Sequence, residues 1–331
     1  MKYIITVFLT GFLLSCSNEI DLLEPGETIP VVYGIINPDD SIQKIRLTRT
    51  FDGSYTPGVD AKVSDSLYFR DARIYLELRS DQGEVLERLK LEQAIIEDRE
   101  DGVFATTPNI IFIGRDYQIR RRFNSEIPMI YHLTINLPDY DKSIFATAEI
   151  PSRPKISTNI DEKEELNIYN YFQHPKVVMF QPGGEFVSEL IIEFFYENQI
   201  GGQWYRESFV YKRESAPASR IAIADSIKFT PEWLFQQFAG RITDNPDVMK
   251  RRFNSLEIRS IRISPEYHYY SSSLEYSPDY YTNIFSNIVN GKGLFAAYSK
   301  SEMKGITFGR EMLDSLALGK LTRHLRFERV W

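Results

Sequence analysis

The chain has 331 residues and a formal net charge of −7, from 39 Lys and Arg against 46 Asp and Glu. That acidic balance removes the electrostatic case for nucleic acid, whose binders gather Lys and Arg on one face; Arg120–Arg122 and Lys250–Arg252 are short runs that read as solvated faces. A single cysteine leaves no internal disulfide, so stability has to come from core burial, and 20 Tyr with 22 Phe favour strands.

That cysteine, Cys16, follows an apolar stretch, Tyr3–Leu14, which Lys2 precedes with a positive charge. The stretch suits a signal peptide over residues 1–15 and is shorter than the roughly 20 residues of a spanning helix. Leu13-Leu14-Ser15-Cys16 has the lipobox form, branched apolar then small then cysteine, because the diacylglyceryl group is attached as a thioether. At about 0.8 kcal/mol per buried CH2, two or three acyl chains anchor a protein essentially permanently. The competing reading is an ordinary secretory signal with an incidental cysteine. Ser17 stands where Asp would signal inner-membrane retention, so the outer membrane is expected. Ser17-Asn18-Glu19 with Asp21 loosely resembles acidic surface-export signals; it equally suits a plain polar tether, so the sequence leaves the face of the membrane open.

Residues 16–27 read as a lipidated tether, with Pro25 and Gly26. From residue 28 short alternating runs begin, among them Lys44–Arg49 and Ile74–Arg79, the latter entering a hairpin connection at Ser80–Glu84. Tyr117–Phe123, Met129–Leu137 and Ser143–Ile150 continue the pattern. Roughly seven strands in residues 28–151 predict an immunoglobulin-like β-sandwich. Pro151-Ser152-Arg153-Pro154 and the charged Asp161–Glu165 stretch place a boundary near 151–165.

Residues 152–331 read as a second strand-dominated domain with two or three short helices, so the fold class is all-β. Val177–Gln181, Ser188–Tyr196, Gln203–Arg213, Arg220–Phe229 and Ser255–Ile263 are its strands. Thr230-Pro231-Glu232 opens a helix running to Ala239, with Gly240 after it; Ser264-Pro265-Glu266 repeats that start chemistry. There Tyr267, Tyr270 and Leu274 share one helical face. Gly293–Ser299 and Gly305–Phe308 read as a closing hairpin.

Several stretches together resemble a Bacteroidota outer-membrane lipoprotein family catalogued as domain of unknown function 4249. The opening is Val31-Val32-Tyr33-Gly34-Ile35-Ile36-Asn37-Pro38-Asp39-Asp40-Ser41, then Arg46–Thr50. Ala146–Pro151 is similar to the end of the family's first domain. Ile261–Tyr270, Phe285-Ser286-Asn287-Ile288 and Gly291-Lys292-Gly293-Leu294-Phe295 are similar to its C-terminal signature. The chain departs from the pattern where Asn290 or Lys292 replaces a second glycine, and where Pro128–Tyr131 replaces a Gly-rich start. The resemblance implies an outer-membrane lipoprotein working beside TonB-dependent transport; it brings no activity.

No catalytic residue, metal site or cofactor emerges from the residues themselves. His132, His174, His268 and His324 lie outside any zinc-ligand spacing, and neither a nucleophile elbow nor a phosphate loop occurs. Asp39, Asp139 and Asp141 sit in turns but lack the full alternating oxygen ligands of a calcium loop. The strongest binding feature is the aromatic cluster Tyr267, Tyr269, Tyr270, Tyr276, Tyr280 and Tyr281, followed by Phe285 and Phe295. Tyr267, Tyr270 and Phe295 suit a core; Tyr276, Tyr280 and Tyr281 flank Pro278-Asp279 in a predicted loop and are the candidates for a partner, glycan or peptide. The expectation is a non-enzymatic accessory held in the membrane by lipid at Cys16, with a TonB-dependent receptor or an assembly complex as partner. A glycan- or peptide-binding surface lipoprotein is the alternative.

Overall fold

The computed structural model describes residues 28–50, 63, 67–96, 108–115, 128–160, 165–168, 176–180, 187–215, 225–275 and 284–329. The signal peptide, Cys16, the tether, the Tyr117–Phe123 run and Tyr276, Tyr280 and Tyr281 lie outside them.

Among the described residues seven strands form the first half: β1 (Pro30–Ile36), β2 (Ile42–Arg49), β3 (Arg73–Ser80), β4 (Val85–Ile96), β5 (Asn109–Arg115), β6 (Met129–Leu137) and β7 (Lys142–Ile150). They pair in the order β1-β2-β5-β4 and β3-β6-β7, which is the strand order of an immunoglobulin-like sandwich. β4 belongs to both sheets: Val85–Leu91 pairs with β3 and Glu92–Ile96 with β5. Strict alternation drives this packing. Met129, Tyr131, Leu133, Ile135 and Leu137 of β6 point inward, as do Ile144, Ala146, Ala148 and Ile150 of β7. The expected hairpin after β3 is present, its Gly83 at φ 82 and bonded to Ser80 O (2.9 Å).

The second half comprises β8 (Ile156–Thr158), β9 (Glu165–Leu166), β10 (Lys176–Phe180), β11 (Val187–Ile200), β12 (Gln203–Ser215), β13 (Asp225–Phe229), β14 (Val248–Ile263) and β15 (Lys292–Phe308). Among the described residues three short helices join them: α1 (Pro231–Arg241), α2 (Pro265–Glu275) and α3 (Arg310–Leu318). β12-β11-β14-β15 is antiparallel, β13-β10-β8 is a separate sheet, and β9 runs parallel to the end of β15. Phe194, Phe209, Phe238, Phe253 and Phe308 form its aromatic centre, with Phe253 and Phe308 stacked at 4.0 Å. α1 starts as its sequence requires: Thr230 Oγ1 accepts the Trp233 N–H (3.1 Å) and Pro231 stands at the first turn.

Four details differ from the sequence reading. α1 continues through Gly240 to Arg241, because burial of Phe238 and Ile242 outweighs the roughly 1 kcal/mol cost of a helical glycine. β14 begins at Val248 rather than Ser255, since Lys250 and Arg252 find Glu328 and Glu197, while Arg251 is buried outright instead of solvated. Ser264 spends its hydroxyl on the Ala297 N–H (3.1 Å) of β15. The closing hairpin is instead one 17-residue strand, β15. Gly305, at φ 72, lies where β15 has an extra residue opposite Leu256–Ile258, so a bulge stands where a turn was expected.

β15 joins the two halves. Its first residues run parallel to β1, from Val31↔Lys292 to Ile36↔Ala297, and its later ones pair with β14. Of the first core's buried residues, all but Ile288, Phe295 and Ala297 come from residues 32–150. The second core takes Ile306 and Phe308 from the same strand. The two cores therefore share β15 across the sequence boundary near residue 151.

Gly293 sits in the ladder at φ 114, where an added Cβ would fall 2.0 Å from Val32 O. Val32 O is held in the backbone ladder and cannot give way, so Gly293→Ala should cost at least about 3 kcal/mol and lower the melting temperature markedly. Gly240→Ala, with nothing within 4 Å of the new Cβ, should instead stabilise by up to about 1 kcal/mol. Denaturant melts of both variants check the pair.

Candidate functional site

The stretches that carry the family resemblance converge on the β1–β15 seam. Val31–Ile36 is hydrogen-bonded to Lys292–Ala297. Asn287 binds both main-chain groups of Phe295, accepting its N–H (3.0 Å) and donating to its carbonyl (2.6 Å). The same amide donates to Thr147 O of β7 (3.2 Å), while Asn290 donates to Ser143 O (2.8 Å). Phe145 and Val289 exchange main-chain bonds of 3.2 and 2.8 Å. These contacts tie β7 to the segment before β15 and close the sandwich on itself. Asn290 adopts φ 62, a conformation that glycine holds most easily and Asn tolerates.

The turn between β1 and β2 belongs to the same construction. Asn37 is buried, its side chain accepts the Asp39 N–H (3.0 Å), and Gln43 donates to Asn37 O (2.8 Å) and Asp40 O (3.0 Å). Asp39 pairs with Arg153 of the linker (Nε–Oδ2 3.2 Å), and Tyr298 of β15 donates to Asp40 (3.3 Å). Of the acids considered for calcium, Asp39 is thus committed to Arg153, and its neighbour Asp40 takes the Tyr298 hydroxyl. Among the described residues no three His, Cys, Asp or Glu gather into a metal site.

Above the seam lies an apolar and aromatic surface. α2 packs on β15, and Leu294 and Ala296 are buried on the side opposite Phe295 and Ala297. Tyr270 of α2 donates to the Tyr33 hydroxyl (2.9 Å), the rings meeting edge-on at 6.0 Å. Tyr33 itself is partly exposed, Ile35 and Ile42 on the same side of β1 and β2 are exposed, and so are Tyr269, Leu274 and Ile284 in and after α2. Tyr269 reaches Phe285 (5.5 Å), whose N–H bonds to Ser273 (3.1 Å).

The expected residues distribute as follows. Phe295 is core, Tyr267 and Tyr270 are half-buried, and Leu274, expected on their face, is exposed because the covered face of α2 ends before it. Cys16, Tyr276, Tyr280 and Tyr281 lie outside the described residues, the three tyrosines between the end of α2 and Ile284. His132 on β6 stands across from Glu77; burial and then Arg79 lower its pKa. Tyr33, Ile35 and Ile42 escaped the sequence reading, although the all-apolar run Val31–Ile36 already placed apolar residues on both faces of its strand. The outer face of β11 and β14 carries Glu193–Arg259 and Glu197–Arg252 pairs, whose charges neutralise one another.

Burial, then the bond to Tyr33, raises the pKa of Tyr270 well above the usual tyrosine range. The folded chain therefore holds that proton more tightly than the unfolded one, and the contribution is complete below about pH 10 and lost above it. Tyr270→Phe should cost at most about 1 kcal/mol at neutral pH. Between about pH 9 and about pH 11 it should lose less stability than the wild type. Denaturant titrations at both pH values measure the difference.

The crystal structure of a DUF4785 family protein from Legionella pneumophila is similar at 10% identity and a TM-score of 0.21, over 71% of this chain and 52% of that one. The chain thus spans about half of that protein's length, and so weak a likeness carries no functional argument. No curated protein matches it. The family described as Domain of unknown function (DUF4249) matches residues 18–304, which take in the whole seam, and the chain belongs to that family.

Proposed function

We propose that this chain is a lipid-anchored outer-membrane lipoprotein that acts without catalysis, as an accessory to a TonB-dependent transport or outer-membrane assembly complex. The observation that carries the reading is Cys16, the sole cysteine, at the end of a signal-like apolar stretch. The tether from Cys16 leads into β1, so the anchored end enters the fold at the seam. The exposed Tyr33, Ile35 and Ile42 of β1 and β2 offer contact area of the aromatic and aliphatic kind that partner surfaces use. Among the described residues no helix is long and apolar enough to cross a membrane.

A second reading, glycan or peptide binding through Tyr276, Tyr280 and Tyr281, draws support from their setting. The segment carrying them is flanked by the exposed Leu274 and Ile284.

Cys16→Ala should leave an uncleaved or mislocalised precursor, because no thiol remains to accept lipid. Mass spectrometry of the mature N-terminus reads the outcome; an unmodified terminus contradicts the anchor. Purification of the native protein in mild detergent separates the two readings. An accessory brings a β-barrel partner with it, and replacing Tyr33 and Ile35 by Ser reduces that recovery. A glycan binder comes alone.

A further inference from the structure

The cleft at the C-terminal end of α1 holds a buried cation that no carboxylate meets directly: Asp244 acts on it only at a distance. Arg251 of β14 is 1% exposed. Its Nε donates to Asn198 Oδ1 (2.8 Å), and its terminal nitrogens donate to Leu325 O (2.6 Å) and Thr243 O (3.1 Å). All three acceptors are neutral. A guanidinium carries five N–H, so each terminal nitrogen has one beyond these bonds. Asp244, the only carboxylate lining the cleft among the described residues, is already engaged by Arg326 (2.6 Å). Glu207 of β12 is felt there through Tyr196. A buried charge is costly unless an opposite charge accompanies it.

The surroundings suit an anion. The cleft is a cavity of about 400 Å3, within the range of small-molecule sites, and Arg241 brings a second cation to its wall. Arg241 is held in place by Gln237, whose side chain accepts from its Nε (3.3 Å). Tyr196, 8% exposed, lines another side. Burial lowers the Arg251 pKa, and it raises that of Tyr196 against the opposing pull of Arg251.

We propose that this cleft binds a small ligand of monosaccharide size bearing one carboxylate or phosphate, with Arg251 and Arg241 as the anion-holding residues and Tyr196 beside the ring. The site shares no residue with the seam surface, so it stands or falls independently of the accessory reading.

Calorimetric titration of the full mature chain in detergent tests it, with glucuronate and glucose 6-phosphate as probes, glucose as the neutral control and inorganic phosphate as the bare anion. At least one anionic sugar should bind while glucose does not. The sugar that binds identifies the charge as carboxylate or phosphate, and binding of inorganic phosphate alone would remove the sugar from the proposal. Arg251 variants risk unfolding, because its bonds hold Leu325 and Thr243 against β14. Arg241→Gln is the working variant: it should weaken binding at least about tenfold with an unchanged melting temperature. If both anionic sugars titrate like glucose, or if Arg241→Gln and Tyr196→Phe bind as the wild type does, Arg251 is only a structural tie and the proposal fails.

Discussion

The parallel pairing of β1 with β15 is the constraint on which the rest of the molecule depends. The partners lie about 260 residues apart, and closing so long a loop costs little more entropy than closing one half as long. What the ladder requires is close approach, and Gly293 supplies it by leaving room for Val32 O. Once β15 is in place, its first residues complete the sandwich core with Phe295 and Ala297, and its last ones complete the other core with Ile306 and Phe308. α2 can then lie on β15 and bring Tyr270 to Tyr33.

This arrangement gives the stretches that carry the family resemblance a structural meaning. Asn37 and Gln43 satisfy buried main-chain groups of a turn that Arg153 and Tyr298 hold from the other half. Asn287 acts as a side-chain substitute for a strand, meeting the main chain of Phe295 and Thr147 together. Residues that look like polar ornaments of a family motif are fasteners of a closed sheet. The surface they leave outside, Tyr33 and Ile35 of β1, is the part free to meet something else.

Much of the fold was legible because its signals are local. The strict alternation in β6 and β7 defined their inward faces, and Thr230-Pro231 announced α1. The seven-strand count led to the immunoglobulin-like order that the pairing shows. Parallel pairing between distant strands leaves no local trace, so β15 read as a hairpin broken at a glycine that in fact forms a bulge. Arg251 was equally hidden: in sequence it is the middle of a basic run, and only the meeting of Asn198, Thr243 and Leu325 makes it a buried residue. The candidate surface was half legible, its tyrosines evident from composition and its isoleucines masked by belonging to an ordinary apolar strand.

Native-state hydrogen exchange tests the central role of the seam most directly. If β1–β15 pairing holds both cores in one cooperative unit, the amides of Val32, Gly34 and Ile36 should open with the same free energy as those of Ile192 and Phe194 in β11. Exchange of the β1 amides at a much lower free energy, while β11 stays protected, would contradict it.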